Sequence, residues 1–330
     1  MKKSTQKAYF ALLLALLLAL LLVVLPGCAQ KEQKTSIPVR FAAQSEGQEL
    51  LLSNEAYLEG LNQNDLNFRL QKKDGTLEEY KTFAAEQVQD FTEEEQALIS
   101  GEIDKIEAIC QEQGYHLPAL DQVVFVKSTM ADECYASAYT HGTTVYLGAD
   151  LLDWVLSEGD DELQSLFSDI IAHELFHCYT RNNPDFRTDM YALLGFTVQE
   201  EDFVFGDAVA ERIISNPDVE HHNSYATFTI HGEDIPCTVV YATDKPFEQE
   251  GDNFFDTGMT GLVPVDDLNT MYSSEEAENF WDVFGRNTDY VIDPEETLAD
   301  NFSFAILNRD EERDLKTPEL VENIRTYLKG

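Results

Sequence analysis

Apolar residues recur at helical and strand-like spacings along most of the chain and divide it into recognisable elements. Thr92-Glu93-Glu94-Glu95 forms a capping-box sequence ahead of isoleucines at helical spacing from Ile99 to Ile109, which predicts an amphipathic helix. A second helical stripe runs from Leu163 to Ile171 and continues into His173. A further helix is predicted to begin at Asp293-Pro294, with the aspartate as its cap.

Shorter runs rich in β-branched and aromatic residues, bounded by turn-forming residues, predict strands. These runs are Pro38 to Ala43, Leu66 to Leu70, Val123 to Lys127, Thr143 to Leu147, Tyr225 to Ile230 and Thr238 to Ala242. No repeat and no linker rich in Pro, Gly or Ser divides the chain after residue 37. The pattern therefore predicts one α+β domain over residues 38–330, with an elaborated amino-terminal part.

The first 30 residues follow a different pattern. Three lysines precede an apolar run from Phe10 to Leu25. A helix that spans a bilayer needs about 20 apolar residues, so this run is short for a membrane span. The next residues, Leu25-Pro26-Gly27-Cys28, resemble the bacterial lipobox, in which the cysteine is lipidated and begins the mature chain. We therefore expect a lipoprotein signal peptide over 1–27, a tether over 28–37 and an extracytoplasmic domain anchored to the cell membrane. An ordinary secretory signal and an uncleaved anchor are the alternatives.

Charge narrows the range of partners. With 22 basic and 62 acidic residues, the chain has a formal net charge of -40, which disfavours nucleic acid as a partner. The acidic runs Glu93-Glu94-Glu95 and Asp160-Asp161-Glu162 could attract Ca²⁺, although solvated faces and helix starts explain them better. Four cysteines remain after Cys28, and their pairing stays open; they are Cys110, Cys134, Cys178 and Cys237.

The segment His173-Glu174-Leu175-Phe176-His177 carries the strongest chemical signal. On a helix, histidines four residues apart lie on one face, so both imidazoles can reach one Zn²⁺ at about 2.0–2.1 Å. Glu174 lies next to the first ligand, where its carboxylate can accept a proton from a zinc-bound water. This pattern predicts a catalytic site with one zinc ion per chain.

Two histidines need a third protein ligand. A metzincin would have Gly at position 180 and His at 183, but the chain has Thr180 and Asn183, so that class is excluded. Glu296 is the preferred ligand because small residues on its helix face would allow close approach to the histidine helix. The alternatives are a capping-box role for Glu296, with Glu295 or Glu200 as the ligand.

Two residues near Glu296 are candidates for supporting roles. Asp300 follows one turn later and could hydrogen-bond a ligating histidine. Tyr290 could donate a hydrogen bond to a tetrahedral oxyanion, although an aromatic side chain packed before a helix start is the simpler explanation.

The residues from Glu296 to Asp300 resemble the Glu-x-x-Ala-Asp segment of gluzincin-like peptidases. The stretches from His173 to Pro184, Tyr191 to Phe196, Phe125 to Thr129 and Ala138 to Thr143 resemble a group of poorly characterised secreted bacterial zinc peptidases. This resemblance covers about residues 90–310. It implies a zincin-like fold with a mixed or antiparallel sheet, and a strand that pairs with bound peptide just before the active helix, for which Thr143 to Leu147 is the candidate.

Together these features predict a membrane-anchored zinc metallopeptidase acting on a peptide or protein substrate. A non-catalytic lipoprotein of the same fold that binds peptide or metal is one alternative, although the intact base Glu174 argues against it. A zinc hydrolase that cleaves cell-wall peptide or amide bonds is another.

The lipid anchor can be tested at Cys28. We expect Cys28→Ser to release a soluble protein or leave an unprocessed precursor, because the serine cannot carry the lipid thioether. Lipid labelling of the wild type and the variant in cells measures this directly. Equal labelling of both would show that the lipobox assignment is wrong.

Overall fold

The computed structural model describes residues 37–309 and 313–330, and these residues form one compact unit. The predicted signal peptide, Cys28 and nearly all of the predicted tether lie outside the described residues. The fold is mixed α+β, as the sequence predicts. Among the described residues, no helix is both long enough and apolar enough to cross a bilayer.

Twelve α-helices lie in the described ranges, and we number them in chain order. They are α1 (Gln44–Leu52), α2 (Glu55–Gly60), α3 (Gln63–Leu70), α4 (Leu77–Gln87), α5 (Glu93–Gln113), α6 (Ala149–Glu158), α7 (Asp161–Asn182), α8 (Pro184–Leu193), α9 (Asp207–Ala210), α10 (Phe280–Phe284), α11 (Pro294–Leu307) and α12 (Pro318–Lys329). Three short 3₁₀ turns accompany them, at Ala131–Glu133, Phe254–Asp256 and Ser274–Glu276.

Ten strands in the same ranges form two five-stranded sheets. They are β1 (Val39–Phe41), β2 (Val88–Gln89), β3 (Val123–Ser128), β4 (Ala138–His141), β5 (Thr144–Gly148), β6 (Thr197–Val198), β7 (Ser224–Ile230), β8 (Glu233–Thr243), β9 (Gly258–Pro264) and β10 (Tyr272–Ser273). The first sheet has the order β1-β3-β5-β4 with β2 beside β3, and only β2 and β4 run antiparallel to their neighbours. The second sheet, β10-β9-β8-β7-β6, is antiparallel throughout.

The predicted helix starts are confirmed. Thr92 and Glu95 form both hydrogen bonds of a capping box at the start of α5, and Ile99, Ile103 and Ile106 are buried. Asp293 caps α11 through the backbone N–H of Glu295. The helix that starts at Pro294 is followed by α12, whose amphipathic pattern the sequence analysis did not single out.

Two of the strand predictions need correction. Leu66 to Leu70 belongs to helix α3, because Asn62 and Asp65 form a capping box that starts a helix where the short apolar alternation had suggested a strand. Thr143 to Leu147 does form a strand, β5, but β5 is paired on both sides with β3 and β4. It therefore has no free edge for a peptide. One edge of this sheet is β4, and β1 and β2 lie at the other.

Helix α7 lies at the centre of the largest apolar core. This core joins α5, α7, α11 and α12 to side chains of both sheets, including Phe125 and Leu147 from the first and Phe228 from the second. Helix α11 packs along α7, and α7 also contacts β4. A polar side chain on the buried part of α7 is thus far from bulk water and must find its partners within the protein.

A buried ionic cluster joins the amino-terminal helices to the rest of the molecule. The Arg69 guanidinium on α3 binds the carboxylates of Asp65 at 2.9 Å and Glu133 at 2.8 Å, and it donates to the carbonyl oxygen of Ser215 at 2.7 Å. Glu133 also accepts hydrogen bonds from the hydroxyls of Tyr57 and Tyr80. All charges in this cluster are therefore paired, as burial requires.

This cluster predicts a large stability effect at Arg69. We expect Arg69→Met to lower the free energy of unfolding by about 3–5 kcal/mol, since it leaves two buried carboxylates without their cation. Denaturant unfolding of the metal-free protein measures the change. The control is Lys72→Met, which removes the exposed Lys72–Glu79 pair and should cost at most about 1 kcal/mol. Similar losses in both variants would contradict the role of burial.

Candidate metal centre

The two histidines of the motif lie one turn apart on α7, with their ring centroids 4.8 Å apart. His177 is fully buried, and the apolar side chains of Leu175 and Phe176 beside it are equally inaccessible. Packing on α7 thus sets the positions of both rings. Their Nε2 atoms face the same neighbour, the carboxylate of Glu296 on α11.

Glu296 approaches both imidazoles. Its Oε2 atom lies 3.0 Å from His173 Nε2 and 3.7 Å from His177 Nε2, and its Oε1 atom accepts a hydrogen bond from the Asn216 amide. Its side chain therefore turns towards the histidines, and the start of α11 is capped by Asp293 instead. His173, His177 and Glu296 together form a group that could hold a metal ion.

The other ring nitrogens are occupied by two more carboxylates. Asp300 Oδ1 lies 2.8 Å from His173 Nδ1, as the sequence predicts for this residue, and Glu295 Oε1 lies 3.1 Å from His177 Nδ1. When each Nδ1 carries the proton and donates it to its carboxylate, the Nε2 lone pair is left free for a cation. Glu295, an alternative for the third ligand, thus contacts the ring nitrogen that faces away from the group.

Both orienting carboxylates are themselves held in place. Thr288 donates to Asp300 Oδ2 at 2.5 Å. Thr180 and Tyr191 donate to the two oxygens of Glu295 at 2.5 and 2.7 Å. Hydrogen bonds behind the imidazoles therefore limit their rotation, which is the arrangement that keeps metal-binding histidines in one orientation.

The donor atoms fit a small divalent cation. His177 Nε2 is buried and has no hydrogen-bond partner, which is costly unless that nitrogen binds something else. Two donors bound at about 2.0–2.1 Å with tetrahedral angles stand about 3.3 Å apart. The His173–Glu296 and His177–Glu296 separations of 3.0 and 3.7 Å bracket that value.

A further acidic residue, Asp218, lies beside His177 without any signal in the sequence. Its Oδ1 atom lies 3.9 Å from His177 Nε2, and Glu174, His177 and Asp218 form a second group that could hold a metal ion. Thr140 on β4 contacts both carboxylates, through its hydroxyl to Glu174 at 2.6 Å and through its backbone N–H to Asp218 at 2.7 Å. Only the fold brings a loop aspartate into contact with this motif.

Negative charge dominates the centre. Burial raises the pKa of Asp218 well above its usual range, and the carboxylates Glu174 and Glu296 raise it further. Burial alone would lower the pKa of His173, yet hydrogen bonds to Asp300 and Glu296 raise it above its usual value. Carboxylates contribute to both shifts, beside the effect of burial on Asp218, and a bound divalent ion would offset their negative charge.

The two remaining candidate residues, Tyr290 and Glu200, belong to neither metal-binding group. The Tyr290 ring is 38% exposed, and its centroid lies 6.4 Å from that of His173, in a cleft of about 440 Å³ that also contains Glu174 and Glu296. Glu200 is exposed in a loop after β6 and belongs to neither metal-binding group, so it does not supply the third ligand.

The acidic runs and the cysteines have structural explanations. Glu95 pairs with Lys127 at 2.5 Å, and Asp160 caps α7. Neither run contributes to a metal-binding group within 37–309 and 313–330. The four cysteines after Cys28 are buried and unpaired. Burial raises the pKa of each thiol, to about 12 for Cys110, Cys134 and Cys237.

Comparisons with protein-family models, with curated proteins and with solved structures found no match to this chain. Function must therefore be inferred from the residues of the centre and their geometry.

The centre predicts metal binding that depends on both histidines. We expect one divalent ion per chain, removable by a chelator, and an affinity reduced more than about 100-fold in His173→Ala and His177→Ala. Loss of a residue that only hydrogen-bonds a metal ligand lowers metal affinity about 10–100-fold, so loss of a ligand itself should lower the affinity further. Metal content after dialysis measures this, with His231→Ala as the surface control. Full occupancy in the double alanine variant would place the metal elsewhere.

Proposed function

We propose that this protein is an extracytoplasmic, membrane-anchored zinc metallopeptidase with a zincin-like fold. The observation that carries the proposal is the convergence of His173 Nε2, His177 Nε2 and a Glu296 oxygen, with the carboxylate of Glu174 beside them. A purely structural zinc site would have no use for that additional carboxylate. The packing of the histidine helix α7 against the glutamate helix α11 supports the fold assignment.

Two imidazole nitrogens and one carboxylate are a donor set typical of catalytic zinc. A zinc ion held there would lower the pKa of a water molecule and polarise the carbonyl of a peptide bond. The protein's part is to hold the donors rigidly. Asp300 and Glu295 do this by fixing the two rings from behind.

Glu174 is suited to act as the general base. Its carboxylate is 4% exposed, and Oε2 accepts a hydrogen bond from Thr140 that fixes its orientation. It is not one of the three donors in the His173–His177–Glu296 group, so it stays free to take a proton from the attacking water and deliver it to the leaving amine.

The cleft beside the centre favours apolar peptide side chains. Leu166, Ile170, Phe255, Tyr290 and Phe304 line it together with the acidic residues of the centre. No lysine or arginine is among its lining residues in the described part of the chain. We therefore propose that substrates with large apolar side chains are preferred, and that acidic ones are disfavoured by repulsion.

The decisive experiment compares Glu174→Gln with Glu296→Gln on a peptide library, measuring zinc content and hydrolysis together. We expect Glu174→Gln to keep zinc while losing about 10²–10⁴-fold in rate, since it removes the base and no donor. Glu296→Gln should lose zinc and turnover together, because an amide is a poorer zinc ligand than a carboxylate.

The matched control is Glu200→Gln, in the exposed loop, which should leave both zinc content and rate unchanged. A Glu296→Gln variant with normal zinc and normal turnover would remove Glu296 from the centre. A zinc-loaded wild type that cleaves no peptide in the library but cleaves cell-wall peptide or amide bonds would support the alternative hydrolase. Zinc binding without any hydrolysis would favour a non-catalytic lipoprotein.

A further inference from the structure

Asp218 belongs to a short segment that crosses the face of the metal centre. We call residues 213–220 the strap. The strap contains no helix and no strand, and it contacts α3 through Ser215 and α7 through Glu220. It contributes two side chains to the centre, Asn216 to Glu296 and Asp218 to the space beside His177.

The strap is held at several points on either side of Asp218. Before it, the Asp65 carboxylate accepts hydrogen bonds from the backbone N–H and the hydroxyl of Ser215, at 3.0 and 2.8 Å. After it, Arg181 on α7 pairs with Glu220 at 3.1 Å. Asp218 is 7% exposed. The contacts of Ser215 and Glu220 on either side of it therefore hold its carboxylate in a buried position.

A single oxygen of Asp218 has two roles. Oδ1 faces His177 Nε2, the buried nitrogen without a hydrogen-bond partner, at 3.9 Å, close to the 3.7 Å that separates the same nitrogen from Glu296. The same oxygen accepts the hydrogen bond of the Thr140 N–H at 2.7 Å. Thr140 lies on β4, an edge strand of the first sheet, so this N–H is one that an added peptide strand would use.

We propose that Asp218 is a further protein donor to the metal ion in the resting protein, and that it must withdraw before a peptide binds. The inference rests on the proposed zinc site. Four protein donors close a zinc site, whereas catalysis needs an open position. The Asp218 carboxylate thus occupies both the coordination position that a substrate needs at the zinc ion and the Thr140 N–H at the edge of β4. Its withdrawal makes both available to a peptide.

The first test measures the donor role with the metal alone. Asp218→Asn keeps the size of the side chain and an oxygen that can accept the Thr140 hydrogen bond, but it removes the charge. We expect zinc affinity, measured by competition with a chromophoric chelator, to fall at least about 10-fold. The visible absorption of the cobalt(II)-loaded protein should also change, because it depends on the number and kind of ligands.

The matched control is Glu220→Gln on the same strap. It loses a charge and weakens the strap's contact with Arg181 while leaving Asp218 intact, so zinc affinity and the cobalt spectrum should stay as in the wild type. Equal effects of the two substitutions would mean that the position of the strap matters and the Asp218 oxygen does not. A weaker affinity with an unchanged spectrum would likewise overturn the donor role, as would no change at all in Asp218→Asn.

The second test asks whether Asp218 closes the metal centre to a peptide. Asp218→Ala removes the group that covers the β4 edge, so at saturating zinc it should hydrolyse a susceptible peptide several-fold faster than the wild type. A slower rate at full zinc occupancy would show that Asp218 assists the reaction and does not close the site. Failure of the wild type to bind zinc would overturn the proposed function as well, whereas an active wild type with unaffected Asp218 variants would overturn only this inference.

Discussion

The central constraint on this molecule is that carboxylates held away from water must be neutralised by nearby positive charge or by hydrogen bonds. Around His173 and His177, the acidic side chains outnumber the cationic ones, and one imidazole nitrogen is left without a partner. The Arg69 cluster satisfies the same constraint with a guanidinium and two tyrosine hydroxyls. At the metal centre the Arg181 guanidinium lowers the pKa of Asp218 but pairs with Glu220, and it leaves the excess of acidic groups in place, which is the physical reason for expecting a bound cation there.

Neutralisation at the centre is tied to the packing of distant parts of the chain. Asp65 and Arg69 on α3 hold Ser215, and the next residue along the strap contacts Glu296. The amino-terminal helices, which carry none of the motif residues, therefore help to position a carboxylate of the centre. Rigid support of this kind is needed where donor atoms must be held within a few tenths of an ångström.

The sequence predicted those residues of the site whose relative positions are set by a single helix. The spacing of His173 and His177 is a property of a helix, so that pair could be read from the sequence, whereas Glu296 and Asp300 were expected from their resemblance to a gluzincin-like segment and from their place on one helix. Asp218 could not be predicted, because its position depends on the loop path and on a hydrogen bond to an edge strand far away in sequence. The wrong strand at Leu66 to Leu70 has a different, local origin, since five residues of alternating pattern carry less information than the capping box before them.

The contacts between the strap and β4 bear on the solubility of the protein as well as on its chemistry. An edge strand with unsatisfied N–H groups is a template for pairing with another chain, and natural proteins protect such edges with charge. Here Asp218 accepts the hydrogen bond of Thr140 N–H on β4, and Glu220 accepts that of Gly142 N–H in the turn that follows, so that two acidic groups cover this edge of the sheet. These two acidic side chains thus occupy the N–H groups at which intermolecular β-pairing, and with it aggregation, would otherwise begin.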